Sequence, residues 1–226
     1  MNRKDFLAAS ATAAAVVPGG THLVERHSDF DGQAFAQIVG RPAAIRQVVE
    51  SVAFKPSTFG NVKNAFNGLQ FGFGYPAGSI AVALAGHGPS AVYAYADPIW
   101  NKYRIGEFFK LSDAAGAPVV SNVFLQRRAP LDRRADPDDA AGMYQDASVE
   151  MLQQRGLIVL TCHTAVEEQA RAIVSRGFAP APMSAAEVAG DILTHLIPGA
   201  VVVPSMVAAI AVLQATYHYT YLTLAL

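Results

Sequence analysis

The chain has 226 residues, 17 basic against 18 acidic, for a net charge of −1. Apolar residues make up 52% and charged residues 15%, enough to bury a large core and too little charge for a disordered chain. The balance excludes the basic footprint of a nucleic-acid binder, and the length suits one domain with an N-terminal extension, or two very small domains.

The N-terminus reads as an address. Arg3-Lys4-Asp5-Phe6-Leu7 precedes a small-residue apolar stretch from Ala8 to Val17, which Pro18-Gly19-Gly20 ends. The stretch is shorter than the roughly 20 apolar residues a spanning helix needs, so it fits a secretory signal. Arg3-Lys4 resembles a twin-arginine motif with lysine in the second place. Ala11-Thr12-Ala13 and Ala13-Ala14-Ala15 offer small-residue cleavage sites. Residues 1–30 are therefore expected to be a signal peptide and polar tether, residues 31–226 an α/β domain, and the mature protein periplasmic with no membrane association.

Beyond the leader, strand and helix patterns alternate. Arg46 to Phe54 carries Val48, Val49 and Val52 and predicts a first strand. Ser57 or Thr58 can cap a helix to about Gly72, with Val62, Phe66, Leu69 and Phe73 at helical steps. Ser79 to Ala85 is a continuous apolar run, as a strand buried on both faces reads. Gly86-His87-Gly88-Pro89 breaks it, and Pro89 suits a new helix start. A long middle section follows, Asp97 to Asp136, helical in part from Ile99 to Leu111. Arg127, Arg128, Arg133 and Arg134 are offset there by neighbouring aspartates and read as a solvated loop. Asp136-Pro137 opens an expected helix ending at Gly156. Leu157 to Thr161 is a third strand closed by Cys162, and Thr164 to about Arg176 the next helix. Ser184-Ala-Ala-Glu187 is a capping box. Ala200 to Val203 is a fourth strand, Pro204-Ser205 opens a helix, and His218 to Leu224 reads as a last strand.

Such alternation predicts a parallel sheet covered on both faces, with ligands held beyond the carboxyl ends of its strands. That rule selects His87, Gly88, Cys162, His163 and Ser205, with Ser90 in the same turn as His87. Cys162 is the only cysteine, which excludes an intramolecular disulfide and any multi-cysteine metal site within one chain. At a strand-to-helix junction it reads either as a thiolate favoured by the helix start and a nearby imidazole, or as an ordinary small apolar residue. His87 reads either as an anion-facing group or as a turn residue bonded to backbone. Asn122 can line the same cleft or satisfy loop backbone. No GxSxG, HExxH or paired-carboxylate motif is present, and no cofactor or metal is expected.

Several segments resemble the DsrE-like family. They are Ala83-Leu-Ala-Gly-His87-Gly-Pro-Ser90, Asn61 to Gly68, Leu157-Ile-Val-Leu-Thr-Cys162-His163, Leu196-Ile-Pro-Gly-Ala-Val-Val-Val-Pro204-Ser205, Leu213-Gln214 and Tyr217-His-Tyr219-Thr-Tyr221. Their order over roughly residues 44–222 is similar to the exported branch with a twin-arginine-type leader. The resemblance implies a three-layer α/β sandwich with a mostly parallel, flavodoxin-like five-stranded sheet. It implies neighbouring second and third strands, so that His87 and Cys162 face one cleft. It also implies homo-oligomers and, in some members, persulfide carriage on a cysteine placed as Cys162 is. A sulfurtransferase-like carrier acting through Cys162, with His87 or His163 tuning the thiolate and a small sulfur species as partner, is the leading expectation. Its alternative is a non-catalytic protein of the same fold that binds a small ligand or anion, or serves as an oligomeric partner. The sequence departs from the family in Ala215-Thr216 before the last strand and in the 97–136 insert.

Overall fold

In the computed structural model, residues 30–180 and 182–224 are described; the expected leader and its cleavage sites lie outside them. The chain forms α1 (Gly32–Val39), β1 (Ile45–Ser51), α2 (Thr58–Asn67, continued by a π turn Gly68–Gly72) and β2 (Ile80–Gly86). A 3-10 helix (Gly88–Ala94), α3 (Asp97–Lys102), α4 (Ile105–Phe108) and α5 (Val149–Arg155) lead to β3 (Leu157–Cys162). Then come α6 (His163–Ser175), α7 (Ala185–Thr194), β4 (Ala200–Val203), α8 (Met206–Tyr217) and β5 (Thr220–Thr223). The five strands form one all-parallel sheet in the order β4-β3-β2-β1-β5, the α/β architecture that the alternating pattern predicts. Among the described residues no helix is long and apolar enough to cross a membrane.

The period of two along β2 divides the core into layers. Ala81, Ala83 and Ala85 face α1 and α8, packing with Phe35, Val39, Met206, Ile210 and Leu213. Ile80, Val82 and Leu84 face α2 and α5, packing with Phe59, Val62, Phe66 and Leu152. The sheet thus presents small alanine side chains to α1 and α8 and branched ones to α2 and α5. A third cluster joins the insert to the helices after β3: Tyr95, Ile99, Trp100 and Tyr103 pack on Val166, Ala170 and Ile173 of α6 and Val188 and Ile192 of α7. The turn from α5 into β3 needs glycine. Gly156 has φ +121°, and a Cβ there would meet the Ile80 carbonyl oxygen at 2.7 Å.

Two expectations are corrected. The helix expected over Ile99–Leu111 is two short ones, α3 and α4, parted at Arg104, which has φ 48°. The helix expected from Asp136 to Gly156 forms only over Val149–Arg155. The reason is local: Asp132, Asp136 and Asp139 each accept from the backbone N–H two residues on, which offers the chain turns in place of a helix. Asp146 gathers the N–H groups of Arg128, Ala129 and Ser148 at 2.6–2.8 Å. Ser148 then caps α5 through the Met151 N–H. The capping box at Ser184 and Glu187 forms as expected, with both reciprocal bonds present.

The alanine face under α8 makes a prediction. Ala83→Leu, at a fully buried position, is expected to cost about 1–3 kcal/mol through overpacking. Ala141→Leu, on the exposed loop, should stay within about 0.5 kcal/mol. Chemical denaturation of both variants checks this; equal stabilities would mean that α8 has room to move away.

Candidate functional site

The carboxyl ends of β1, β2 and β3 place three side chains on the α1/α8 side of the sheet. Glu50 on β1 pairs with Ala85 on β2, and Ala85 with Leu160 on β3. His87 lies two residues beyond Ala85, and Cys162 two beyond Leu160. Backbone angles stay extended at His87 (φ −142°, ψ 171°) and Cys162 (φ −87°, ψ 122°). The β2–β3 pairing ends at Gly86 and Thr161, so His87 and Cys162 each follow directly on the last paired residues of neighbouring strands. Alternation keeps both on the face of Ala85 and Leu160.

A carboxylate fixes the imidazole. His87 Nε2 lies 2.9 Å from Glu50 Oε1, with side-chain exposures of 21% and 15%. The Tyr221 hydroxyl donates to Glu50 Oε2, and the Thr223 side chain also reaches this carboxylate. Burial alone would raise the Glu50 pKa. The hydrogen bonds from Tyr221 and His87, the charge of His87 and the Thr223 bond outweigh it and hold the carboxyl below its ordinary value. The same bond to Glu50, with some burial, pushes the Tyr221 phenol up. With Nε2 engaged by Glu50, the ring's orientation is set by a second group, the arrangement that lets a histidine act as a base through its other nitrogen.

Cys162 closes β3 and caps the start of α6. It is 5% exposed and packs with Ala165, Val203, Met206 and Ala209 in the core cluster under α8. The thiol forms no disulfide. The fully buried Tyr95 phenol is pushed well up, first by burial and then by the electrostatic influence of Cys162. His163 begins α6; its Nδ1 lies 3.7 Å from Glu167 Oε1. Among the described residues no three His, Cys, Asp or Glu side chains converge as a metal-binding group.

The other sequence candidates scatter. Gly88 has φ +56°, and its carbonyl accepts from Gln169 Nε2 of α6. With Phe108, Phe109 and Glu168 it lines a separate pocket, on the insert side of α6. Ser90 is fully buried, and its hydroxyl is held by the carbonyls of Ser51 and His87, which pins the turn that carries His87. Asn122 is 3% exposed. Its Nδ2 donates to the Tyr93 and Tyr95 carbonyls and its Oδ1 accepts from the Phe124 N–H, so its amide is spent on the loop. Ser205 stands at the start of α8 with no side-chain capping bond.

Sequence reasoning missed Glu50 and Tyr221. The signal for Glu50 was a carboxylate inside the valine-rich stretch Val48-Val49-Glu50-Ser51-Val52. Tyr221 lay in the recognised aromatic strand, but nothing in the sequence pairs β5 with β1.

The pKa direction at Glu50 gives a test with a defined sign. A folded pKa below the unfolded one contributes stability above the unfolded value, which is lost as pH falls through the folded value. Glu50→Gln is therefore expected to be less stable than wild type at pH 7. The gap should narrow as pH drops below about 4.5 and close at lower pH. Denaturation midpoints from pH 7 to 3 measure it; a gap independent of pH would mean that the carboxylate's charge contributes nothing.

No protein-family model, curated protein or solved structure matches the chain.

Proposed function

We propose that this is an exported DsrE-like protein that handles sulfane sulfur through Cys162, with His87 as the proton acceptor and Glu50 orienting it. The observation that carries the reading is the bonded Glu50–His87 pair at the end of β2, beside the strand that ends in the only cysteine. Carboxylate, imidazole and thiol follow one another across β1, β2 and β3. A nucleophile, its base and the base's orienting group are disposed in this way for thiol chemistry. The start of α6 adds backbone N–H groups that favour a thiolate at Cys162.

The step balances without an external oxidant. The Cys162 proton passes to His87, and the thiolate attacks a sulfane sulfur of a polysulfide. One S–S bond forms to Cys162 and one breaks. The departing polysulfide, one sulfur shorter, leaves as the anion and takes the proton back from His87. The product is the Cys162 persulfide, ready to hand its outer sulfur to an acceptor thiolate.

A second reading is favoured by the 5% exposure of Cys162: a non-catalytic protein of this fold that binds a small ligand at the strand ends or serves as an oligomeric partner. Mass spectrometry after incubation with polysulfide separates the two. The sulfur-handling reading expects a mass increment of one sulfur atom, reversed by a thiol reductant and absent from Cys162→Ser. Alkylation of Cys162 by iodoacetamide at neutral pH should slow by roughly a hundredfold or more in His87→Gln, in the range of what a positioned base contributes. An unmodified cysteine, with alkylation rates equal in wild type and His87→Gln, gives the binding reading. Export is part of the same proposal: N-terminal sequencing of the mature protein should find it cut within the Ala-rich stretch before Pro18.

A further inference from the structure

After Asp191 the described chain carries no Asp, Glu, Lys or Arg, and α8 is apolar on nearly every side. Its buried side, Met206, Ala209, Ile210 and Leu213, packs on the sheet. Beside it, between α8 and α1, lies a cavity of about 280 Å³ walled by Phe35, Val203, Ser205, Ala208, Val212 and Tyr217, among others. It sits at the carboxyl end of β4, where ligands of parallel α/β sheets gather. Val203 in its wall pairs directly with Cys162.

The lining specifies an occupant. It holds no charged side chain, so a fixed charge bound there would find no ionic partner. It is aromatic at one end: Phe30 and Phe35 have ring centres 5.7 Å apart, and Phe35 meets Tyr217 edge-on at 6.3 Å and 84°. Such a cluster favours a further ring in tilted or edge contact. Two hydroxyls, Ser205 and Tyr217, border the space, and neither makes a side-chain hydrogen bond among the described residues. The volume is close to twice the roughly 150 Å³ of a cavity that takes benzene. We infer that the cavity between α1 and α8 is a binding site for an uncharged aromatic molecule of about two fused rings carrying one hydrogen-bonding group. The inference stands apart from sulfur chemistry at Cys162, because the cavity is built from other residues.

The test uses the full chain with 1-naphthol and 1-naphthalenesulfonate, which share a ring system and differ in charge, titrated by calorimetry. Saturable one-to-one binding of 1-naphthol is expected with a Kd on the order of 0.1 mM, and binding of the sulfonate at least tenfold weaker. Ala208→Trp, at an exposed position on the cavity wall, should weaken 1-naphthol at least tenfold while leaving the melting temperature in place; Ala208→Leu serves if the larger side chain disturbs folding. Ser205→Ala should weaken 1-naphthol and leave naphthalene unchanged. Non-saturating binding, equal binding of the sulfonate, or indifference to filling at position 208 overturns the assignment. Cys162→Ser should bind 1-naphthol like wild type, so failure of the sulfur-handling reading leaves this result intact.

Discussion

A half-buried carboxylate on β1 ties the candidate site together. Glu50 gives up water, a cost that only hydrogen bonds or opposite charge offset. Its two oxygens are met from both sides, by His87 beyond β2 and by Tyr221 of β5. This requires β1 to lie between β2 and β5, as it does in the order β4-β3-β2-β1-β5. The strand order and the polar cluster thus depend on each other. The returning strand brings the tyrosine that completes the carboxylate's shell, and the carboxylate holds the histidine at the rim.

The two faces of β2 explain why the cysteine is deep and the histidine is not. Alanines at 81, 83 and 85 face α8, and Cys162 lies in the same buried cluster as Met206 and Ala209. Close packing of this kind leaves little space around a side chain. His87, one strand nearer to β1, lies outside that cover and keeps a fifth of its side chain open. Where α8 runs on past β4 toward α1, the packing opens into the uncharged cavity. One helix therefore both covers the thiol and walls a separate space.

The insert between β2 and β3 is held by polar side chains as well as by its apolar contacts. Asn122 braces the carbonyls of Tyr93 in the 3-10 helix and of Tyr95 just after it, and Asp146 collects the N–H groups of Arg128, Ala129 and Ser148. Each satisfies backbone groups that a regular element would pair by itself. The segment can thus stay irregular over many residues, with Tyr95, Trp100 and Tyr103 anchoring it on α6 and α7.

The strands and their faces were legible because burial on both sides leaves a continuous apolar run, as in Ile80 to Gly86 and Leu157 to Cys162. Ser184 and Glu187 announced their helix because a capping box is a contact between near neighbours in sequence. The 136–156 segment misled because proline after aspartate fits a helix start equally well as the aspartate turns that formed. His87 and Cys162 could be placed at strand ends from sequence, since that depends only on where each apolar run stops. That β2 and β3 lie side by side, that Glu50 grips the imidazole and that Tyr221 grips Glu50 were decided by the tertiary structure alone. Those contacts join residues 37 to 171 positions apart, and strand order, which the local pattern does not encode, is what brings them within reach.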